Sequence, residues 1–257
     1  MQIRVLGAHN VESATTRLTT LLIDDTLAVD AGALTSSLSL SEQEKVTSIL
    51  LTHCHYDHVR DVPAIALNIS HFQKTIRVYS QASTLDAISN NILNGVIYPK
   101  FTEIPTPDNP PLKFCPLEPY KVEDIGGYKV LAVPVKHAVP TVGYQITSGG
   151  EKSFFYGGDA GPGLSACWEY ISPQLLIIDV TLPNRLEKHS VSAGHLTPRL
   201  LGEELAGFKK TKGYLPPVAI IHVSPVFEDE IKEEVEQVAK ELGANITLSY
   251  EGMRLNL

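Results

Sequence analysis

Several classes of protein are excluded by what the sequence lacks. Its 257 residues hold only three cysteines, Cys54, Cys115 and Cys167, far apart and odd in number. No disulfide framework can be drawn from them, and a reducing, cytoplasmic setting is expected. No apolar run reaches the ~20 residues that a helix needs to cross a bilayer. The opening Met1-Gln2-Ile3-Arg4-Val5-Leu6-Gly7 goes directly into a strand-like pattern, with no basic stretch leading into a long apolar one, so no signal peptide is expected. Basic residues are in deficit, 21 Lys and Arg against 29 Asp and Glu, for a net charge of −8. Along the chain they cluster only at Lys209-Lys210 with Lys212. A surface built to grip nucleic acid needs clustered cations, so none is expected, although folding could still gather a local patch. Internal repeats and low-complexity linkers are also absent, and one domain spanning 1–257 is expected.

What is present is a long series of short apolar runs. Residues 3–6, 18–23 and 27–30 read as strands broken by Gly, Asn and Asp, and 48–52 is a compact apolar strand. Ser41-Glu42-Gln43-Glu44 reads as a capping box opening a short helix. Residues 62–70 and 82–93 read as helices flanking a strand at 76–79. From 94 to 127 the pattern dissolves, with seven prolines between Pro99 and Pro119, as in a lid-like insertion. Strand patterns return at 129–135, 142–146, 153–156, 174–180 and 218–223. Ile231, Val235, Val238 and Leu242 then fall at helical spacing. Two β-rich halves with interspersed helices predict stacked sheets flanked by helices, an α/β fold.

The chemistry concentrates in Thr52-His53-Cys54-His55-Tyr56-Asp57-His58. Side chains alternate along an extended segment, so His53 and His55 point the same way and reach one ion. If the chain then turns, Asp57 and His58 reach a second. With nine histidines in the chain a single one is uninformative, but four ligand-type residues within six positions are not. Imidazole and carboxylate suit zinc, and also manganese or iron. Cys54 alternates away from the pair and is expected as a small buried apolar side chain.

This H-x-H-x-D-H run resembles the signature of the metallo-β-lactamase superfamily. The resemblance implies a four-layer αββα sandwich with two divalent transition-metal ions, zinc foremost, at one edge between the sheets. It implies that His53, His55 and His137 hold one ion, that Asp57, His58 and His222 hold the other, and that Asp159 bridges them. Further segments resemble the class II cyclic-nucleotide phosphodiesterases in the ribonuclease Z-like branch. They are His137-Ala138-Val139-Pro140-Thr141-Val142-Gly143-Tyr144, Tyr156-Gly157-Gly158-Asp159-Ala160-Gly161-Pro162, Gly194-His195-Leu196-Thr197-Pro198 and Asn94-Gly95-Val96-Ile97-Tyr98-Pro99-Lys100-Phe101. Departures surround the substrate space. The glycine of the family's H-x-H-L-D-H-x-x-G-L is absent, Ala160 replaces Thr, Ser224 replaces a Lys, and Ala8-His9-Asn10 replaces a glycine-rich turn.

The resemblance implies a dinuclear phosphodiesterase that attacks a small phosphodiester, a 3′,5′-cyclic nucleotide foremost, with a metal-bridged hydroxide. Two ions about 3.5–4 Å apart activate water and stabilise both oxygens of a displacement. His195 and Asp57 are the residues expected to carry catalysis. An imidazole at His195 can protonate a leaving alkoxide, and the related motif places it at the phosphate. Thr197-Pro198 reads equally as a helix N-cap with Pro at N1. Tyr98 and Phe101 are expected to help hold a base by stacking. His9, His71 and His189 are taken as core or surface histidines, His9 being the one nearest the site. The rival readings are a tRNA 3′-processing ribonuclease, a glyoxalase-type thioesterase and a non-catalytic metal sensor. A small-molecule partner is expected, with no membrane and with a homodimer left open.

Overall fold

The computed structural model describes all residues from Met1 to Leu257. In chain order the first half gives β1 (Gln2–Gly7), β2 (Thr20–Ile23), β3 (Leu27–Val29), α1 (Leu34–Ser37), α2 (Leu40–Gln43), β4 (Ser48–Leu50), α3 (Tyr56–Val59), α4 (Val62–Ser70), β5 (Ile76–Ser80), α5 (Ala82–Asn91) and β6 (Leu112–Pro116). The second half gives β7 (Val122–Ile125), β8 (Tyr128–Val135), β9 (Thr141–Thr147), β10 (Ser153–Tyr156), α6 (Ser165–Trp168), β11 (Leu175–Asp179), α7 (Glu187–Ala193), α8 (Pro198–Lys212), β12 (Val218–Ile221), α9 (Glu228–Leu242), β13 (Ile246–Leu248) and β14 (Arg254–Asn256).

Each half builds one seven-stranded mixed sheet, ordered β14-β1-β2-β3-β4-β5-β6 and β13-β12-β11-β10-β9-β8-β7. Only β14 crosses back, pairing antiparallel with β1 and joining the two ends of the chain. Strand alternation sorts the apolar side chains into layers. Ile3, Val5, Leu50, Phe154, Tyr156 and Ile177 fill the space between the sheets. Leu6, Ile49, Ile65, Ile69 and Leu85 lie between the first sheet and its helices. Phe155, Trp168, Leu176, Ile178, Leu201 and Phe208 lie between the second sheet and its own. Three apolar layers between four polypeptide layers make the expected αββα sandwich. No helix is long and apolar enough to cross a membrane.

The sheet directions set where function can sit. In the first sheet β3, β4, β5 and β6 run parallel, and in the second β10, β11, β12 and β13 do. The carboxyl ends of the central strands therefore open at one edge of the sandwich.

Local expectations are corrected in four places. The capping box is Ser39 with Glu42, two residues ahead of the expected start, because Ser39 has the extended backbone that a cap requires. The segment 94–127 contains β6 and β7, so irregular chain fills only 92–111 and 117–121. Parallel pairing of β5 with β6 makes α5 run back to the amino ends of both strands. The loop 92–111 lies there, held by hydrogen bonds from Leu112 N–H to the Phe101 carbonyl (3.2 Å) and from Ile76 N–H to the Pro111 carbonyl (2.8 Å). It is thus at the end of the sheet opposite to that reached by Thr52. The Phe101 ring is buried in the outer apolar layer with half-buried Tyr98 packed against it, so this pair anchors a loop and is not free to stack on a base.

Phe155 is fully buried edge-on to Trp168, whereas Leu40 is 56% exposed. We expect Phe155→Ala to cost about 3–5 kcal/mol in urea unfolding and Leu40→Ala to stay within about 0.5 kcal/mol. Equal losses would refute the layer assignment.

Candidate metal centre

Every expected ligand leaves a strand at the shared edge. His53 and His55 follow β4, and His55 is the N-cap at which the chain turns into α3, carrying Asp57 and His58. His137 follows β8, Asp159 follows β10 and His222 follows β12. The two sheets bring all seven together in two overlapping groups: His53, His55, His137 and Asp159, then Asp57, His58, Asp159 and His222. Asp159 belongs to both. Its Oδ1 lies 3.2 Å from His58 Nε2, and its Oδ2 lies 3.7 Å from His53 Nε2, 3.8 Å from His137 Nε2 and 3.4 Å from His222 Nε2.

The donor set fits a metal on its own terms. A tetrahedral zinc ion with bonds near 2.0–2.1 Å sets its nitrogen ligands about 3.3 Å apart. His55 Nδ1 and His137 Nε2 are 3.2 Å apart. His53 Nε2, His58 Nε2 and Asp159 Oδ1 are buried and in hydrogen-bond geometry with nothing. Buried polar atoms are rarely left so unless something else is meant to meet them.

The far sides of the His53, His58, His137, His195 and His222 rings are tied down, which fixes their tautomers. Asp30, fully buried after β3, accepts from Thr52 N–H (2.8 Å) and from the Thr52 hydroxyl (3.0 Å). It accepts also from Tyr156 OH (2.9 Å) and His58 Nδ1–H (2.8 Å). With its own proton committed to Asp30, Thr52 Oγ1 accepts from His53 Nδ1–H at 2.9 Å. The second sheet repeats the device. Asp179, at the end of β11, accepts from His195 Nδ1–H (3.0 Å) and from the Thr181 hydroxyl (3.4 Å), and Thr181 accepts from His222 Nδ1–H (2.8 Å). His137 donates from Nδ1 to the Gly194 carbonyl at 2.9 Å. Gly194 is itself a left-handed helix cap at φ 82°, and a Cβ there would sit 2.7 Å from the His137 ring, so a glycine is required. Asp30 and His222 hold φ of 57° and 63°, strain that non-glycine residues carry mainly where structure around them compels it.

Charge follows the same plan. Burial, helped by the charge on His58, drives the His53 pKa well below the usual imidazole range. His58 goes the other way, because Asp159 and Asp30 outweigh its burial. Asp159 stays well below the usual carboxylate range against its own burial, held by His222 and His58. His195 is raised despite burial by its bond to Asp179. Its ring stacks on His222 (5.1 Å between centroids, 21°) and meets His137 edge-on (5.1 Å). The histidine therefore stands beside both groups without belonging to either four-residue set. Thr197 caps α8 with Pro198 behind it, so the packing role and the placement beside the site coexist.

Sequence reasoning left Asp30, Thr52, Asp179 and Thr181 without a role. The available signal was an acidic residue closing an apolar strand, twice, with a Thr beside or two residues from a ligand histidine or its partner acid. Cys54 is half-exposed, not buried. His9 is buried, bonded to Glu251 Oε1 at 2.6 Å, and bridges Val223 beside His222. Tyr56, between two expected ligands, is 68% exposed.

Residues 19–216 match the family described as Beta-lactamase superfamily domain. Ribonuclease Z of Thermococcus kodakarensis is 26% identical over 169 residues, 60% of this chain and 50% of that protein. The chain spans half or less of the length of the curated ribonuclease Z relatives it matches. Unliganded yeast PDE1 superposes with a TM-score of 0.84 at 19% identity, over 100% of this chain and 99% of that one. The short form of human tRNase Z gives 0.69 at 18%, over 100% and 99%. These two likenesses are of fold.

We expect Asp30→Asn to weaken metal affinity by about 10–100-fold, the usual scale for losing a partner behind a ligand. It should also lower the melting temperature of the metal-free protein, since one acceptor oxygen becomes an NH2 donor facing buried donors. Unchanged affinity in a metal competition assay would mean that Asp30 serves the fold alone.

Proposed function

The chain belongs to the β-lactamase superfamily, and on that premise we propose that it is a metal-dependent hydrolase, most specifically a dinuclear phosphodiesterase acting on a small phosphodiester such as a 3′,5′-cyclic nucleotide. In this reading His53, His55 and His137 hold one divalent ion, Asp57, His58 and His222 the other, and Asp159 is shared. Bound there, zinc or a similar ion supplies a Lewis acid and lowers the pKa of water so that a nucleophile exists near neutral pH.

The single observation that carries the phosphodiesterase reading is His195. Its Nδ1–H is committed to Asp179 at 3.0 Å, so the remaining nitrogen, Nε2, is the one that can hand a proton outward. Asp179 holds that proton on the ring by raising its pKa. An imidazole whose outward nitrogen can carry and give up a proton beside two metal-ligand groups suits a reaction whose leaving group is a poorly stabilised alkoxide. The motif resemblance to class II cyclic-nucleotide phosphodiesterases and the full-length likeness to yeast PDE1 support the same reading. Tyr56 is an exposed aromatic in the chain between His55 and Asp57, and a base or other flat group is proposed to lie against it.

A second reading, a ribonuclease Z-like tRNA 3′-processing nuclease, is favoured by the sequence relatives. It uses the same ligands and the same acid. A metal-loaded enzyme offered cyclic nucleotides, 3′-extended tRNA precursors and thioesters should turn over the cyclic nucleotide fastest. A preference for the precursor would install the second reading.

His195→Ala should keep its metals and slow phosphodiester hydrolysis by about a hundredfold or more, the scale of losing a general acid. The loss should shrink with a p-nitrophenolate leaving group, which needs little protonation. Equal losses with good and poor leaving groups would remove His195 as the acid. Tyr56→Ala should raise KM for a nucleotide by about tenfold, with Tyr56→Phe close to wild type, and leave KM for bis(p-nitrophenyl)phosphate less affected. A kcat loss common to both substrates would place Tyr56 with the ligand scaffold instead.

A further inference from the structure

The chain is strongly acidic overall, yet three of its seven arginines converge on one pocket. Arg4, Arg17 and Arg254, with the hydroxyls of Thr15, Ser36 and Ser37, line a cavity of about 400 Å³ on the outer side of the first sheet. The arginines are remote in sequence and meet because β14 pairs with β1, setting Arg254 opposite Arg4. Their charges are not equally matched. Arg4 is paired with Asp25 (2.9 Å) and Glu42 (3.1 Å). Arg17 donates only to the backbone carbonyls of Ser13 (3.3 Å) and Thr16 (3.4 Å), and Arg254 only to the Gln2 side-chain carbonyl (2.6 Å). The one carboxylate in the lining, Glu251, is already engaged, accepting from His9 at 2.6 Å and from Arg17 N–H at 2.8 Å. His9 lies between Glu251 (2.6 Å) and Glu228 (3.4 Å), so Glu251 Oε1 is turned toward that buried ring. Two guanidinium groups without a carboxylate partner thus face a cavity rimmed with hydroxyls.

We propose that this pocket binds a phosphate group. Guanidinium forks match phosphate oxygens bidentately, and the Ser36 hydroxyl, which accepts from Arg60 (3.2 Å) and keeps its own proton, supplies a further donor. The loop 10–17 joins the pocket to the metal centre. Asn10 N–H donates to the Val223 carbonyl beside His222, Glu12 pairs with Arg60 two residues after His58, and Thr15 and Arg17 line the cavity. A 3′,5′-cyclic nucleotide has one phosphate, the one being cut, so a phosphate held here belongs to the remote part of a longer phosphodiester or to a separate ligand. That last step rests on the hydrolase reading, whereas phosphate binding itself does not.

The test is calorimetric titration of the metal-loaded full chain, wild type against the Arg17→Ala/Arg254→Ala variant, with inorganic phosphate and separately with a short single-stranded oligoribonucleotide. Phosphate also meets the metals, so the pocket is read as the difference between the two proteins. The variant should bind the pocket's equivalent of phosphate at least about tenfold more weakly, with metal content and turnover of a small chromogenic phosphodiester unchanged. If the oligoribonucleotide weakens in parallel and its salt dependence falls by about one to two phosphate contacts, the group belongs to a strand. If only inorganic phosphate weakens, the natural ligand is small. Either result keeps the pocket even if no hydrolytic activity is found. Equal binding of both probes by variant and wild type overturns it. Arg254→Gln alone, at an exposed strand position, serves if the double variant does not fold, and unchanged phosphate binding there counts equally against the pocket.

Discussion

Two buried carboxylates, Asp30 and Asp179, set the geometry on which the rest of the site depends. Each closes a strand of a different sheet, and each orients two imidazoles, one directly and one through a threonine hydroxyl. Asp30 governs His58 and, by way of Thr52, His53. Asp179 governs His195 and, by way of Thr181, His222. A neutral imidazole offers a lone pair on one nitrogen only, so committing Nδ1–H to a carboxylate or hydroxyl leaves Nε2 as the donor atom. Removing that commitment would let the rings rotate and exchange tautomers, and the sites would lose definition even with every ligand present.

Such an arrangement is costly to assemble, because a buried carboxylate loses its hydration and must be satisfied by donors. Asp30 is satisfied by a backbone N–H, two hydroxyls and an imidazole, drawn from the turn after β4, from α3 and from β10. Those donors come from both sheets, so the two halves of the sandwich are coupled at the edge where the ligands gather. The positive φ at Asp30 and at His222 fits the same account: each residue leaves its strand at an angle that a relaxed backbone would not take. The apolar layers beneath supply the stability against which this strain and desolvation are held.

How far the site was legible in the sequence follows from these constraints. The candidate ligands could be read because His53, His137, Asp159 and His222 each stand just past an apolar strand, and because alternation in 52–55 aims His53 and His55 together. Their tethers were obscure, since an Asp after an apolar run looks like a turn residue until its partners are known. Tyr98 and Phe101 were misplaced for a topological reason. Sequence shows that a proline-rich stretch follows a helix, but not at which end of the sheet that helix delivers it. Parallel pairing of β5 and β6 sends it away from the metal edge. The arginine pocket lay beyond any one-dimensional reading, since Arg4, Arg17 and Arg254 become neighbours only when the two chain ends share a sheet edge.

The same edge logic bears on substrate choice. A metal pair with its acid handles almost any phosphodiester, so discrimination has to come from groups set around it. Departures from the family pattern fall in that surround: Asn10 in the loop after β1 and Ser224 after His222. Asn10 and Ser224 stand on segments that touch each other, since Asn10 N–H bonds to the Val223 carbonyl. The loop that carries Asn10 also carries Arg17 into the arginine pocket and is tied by Glu12 to Arg60. A change in that one loop therefore touches the segment beside His222 and the arginine pocket together. This makes it the segment of the chain through which specificity can change while the chemistry stays the same.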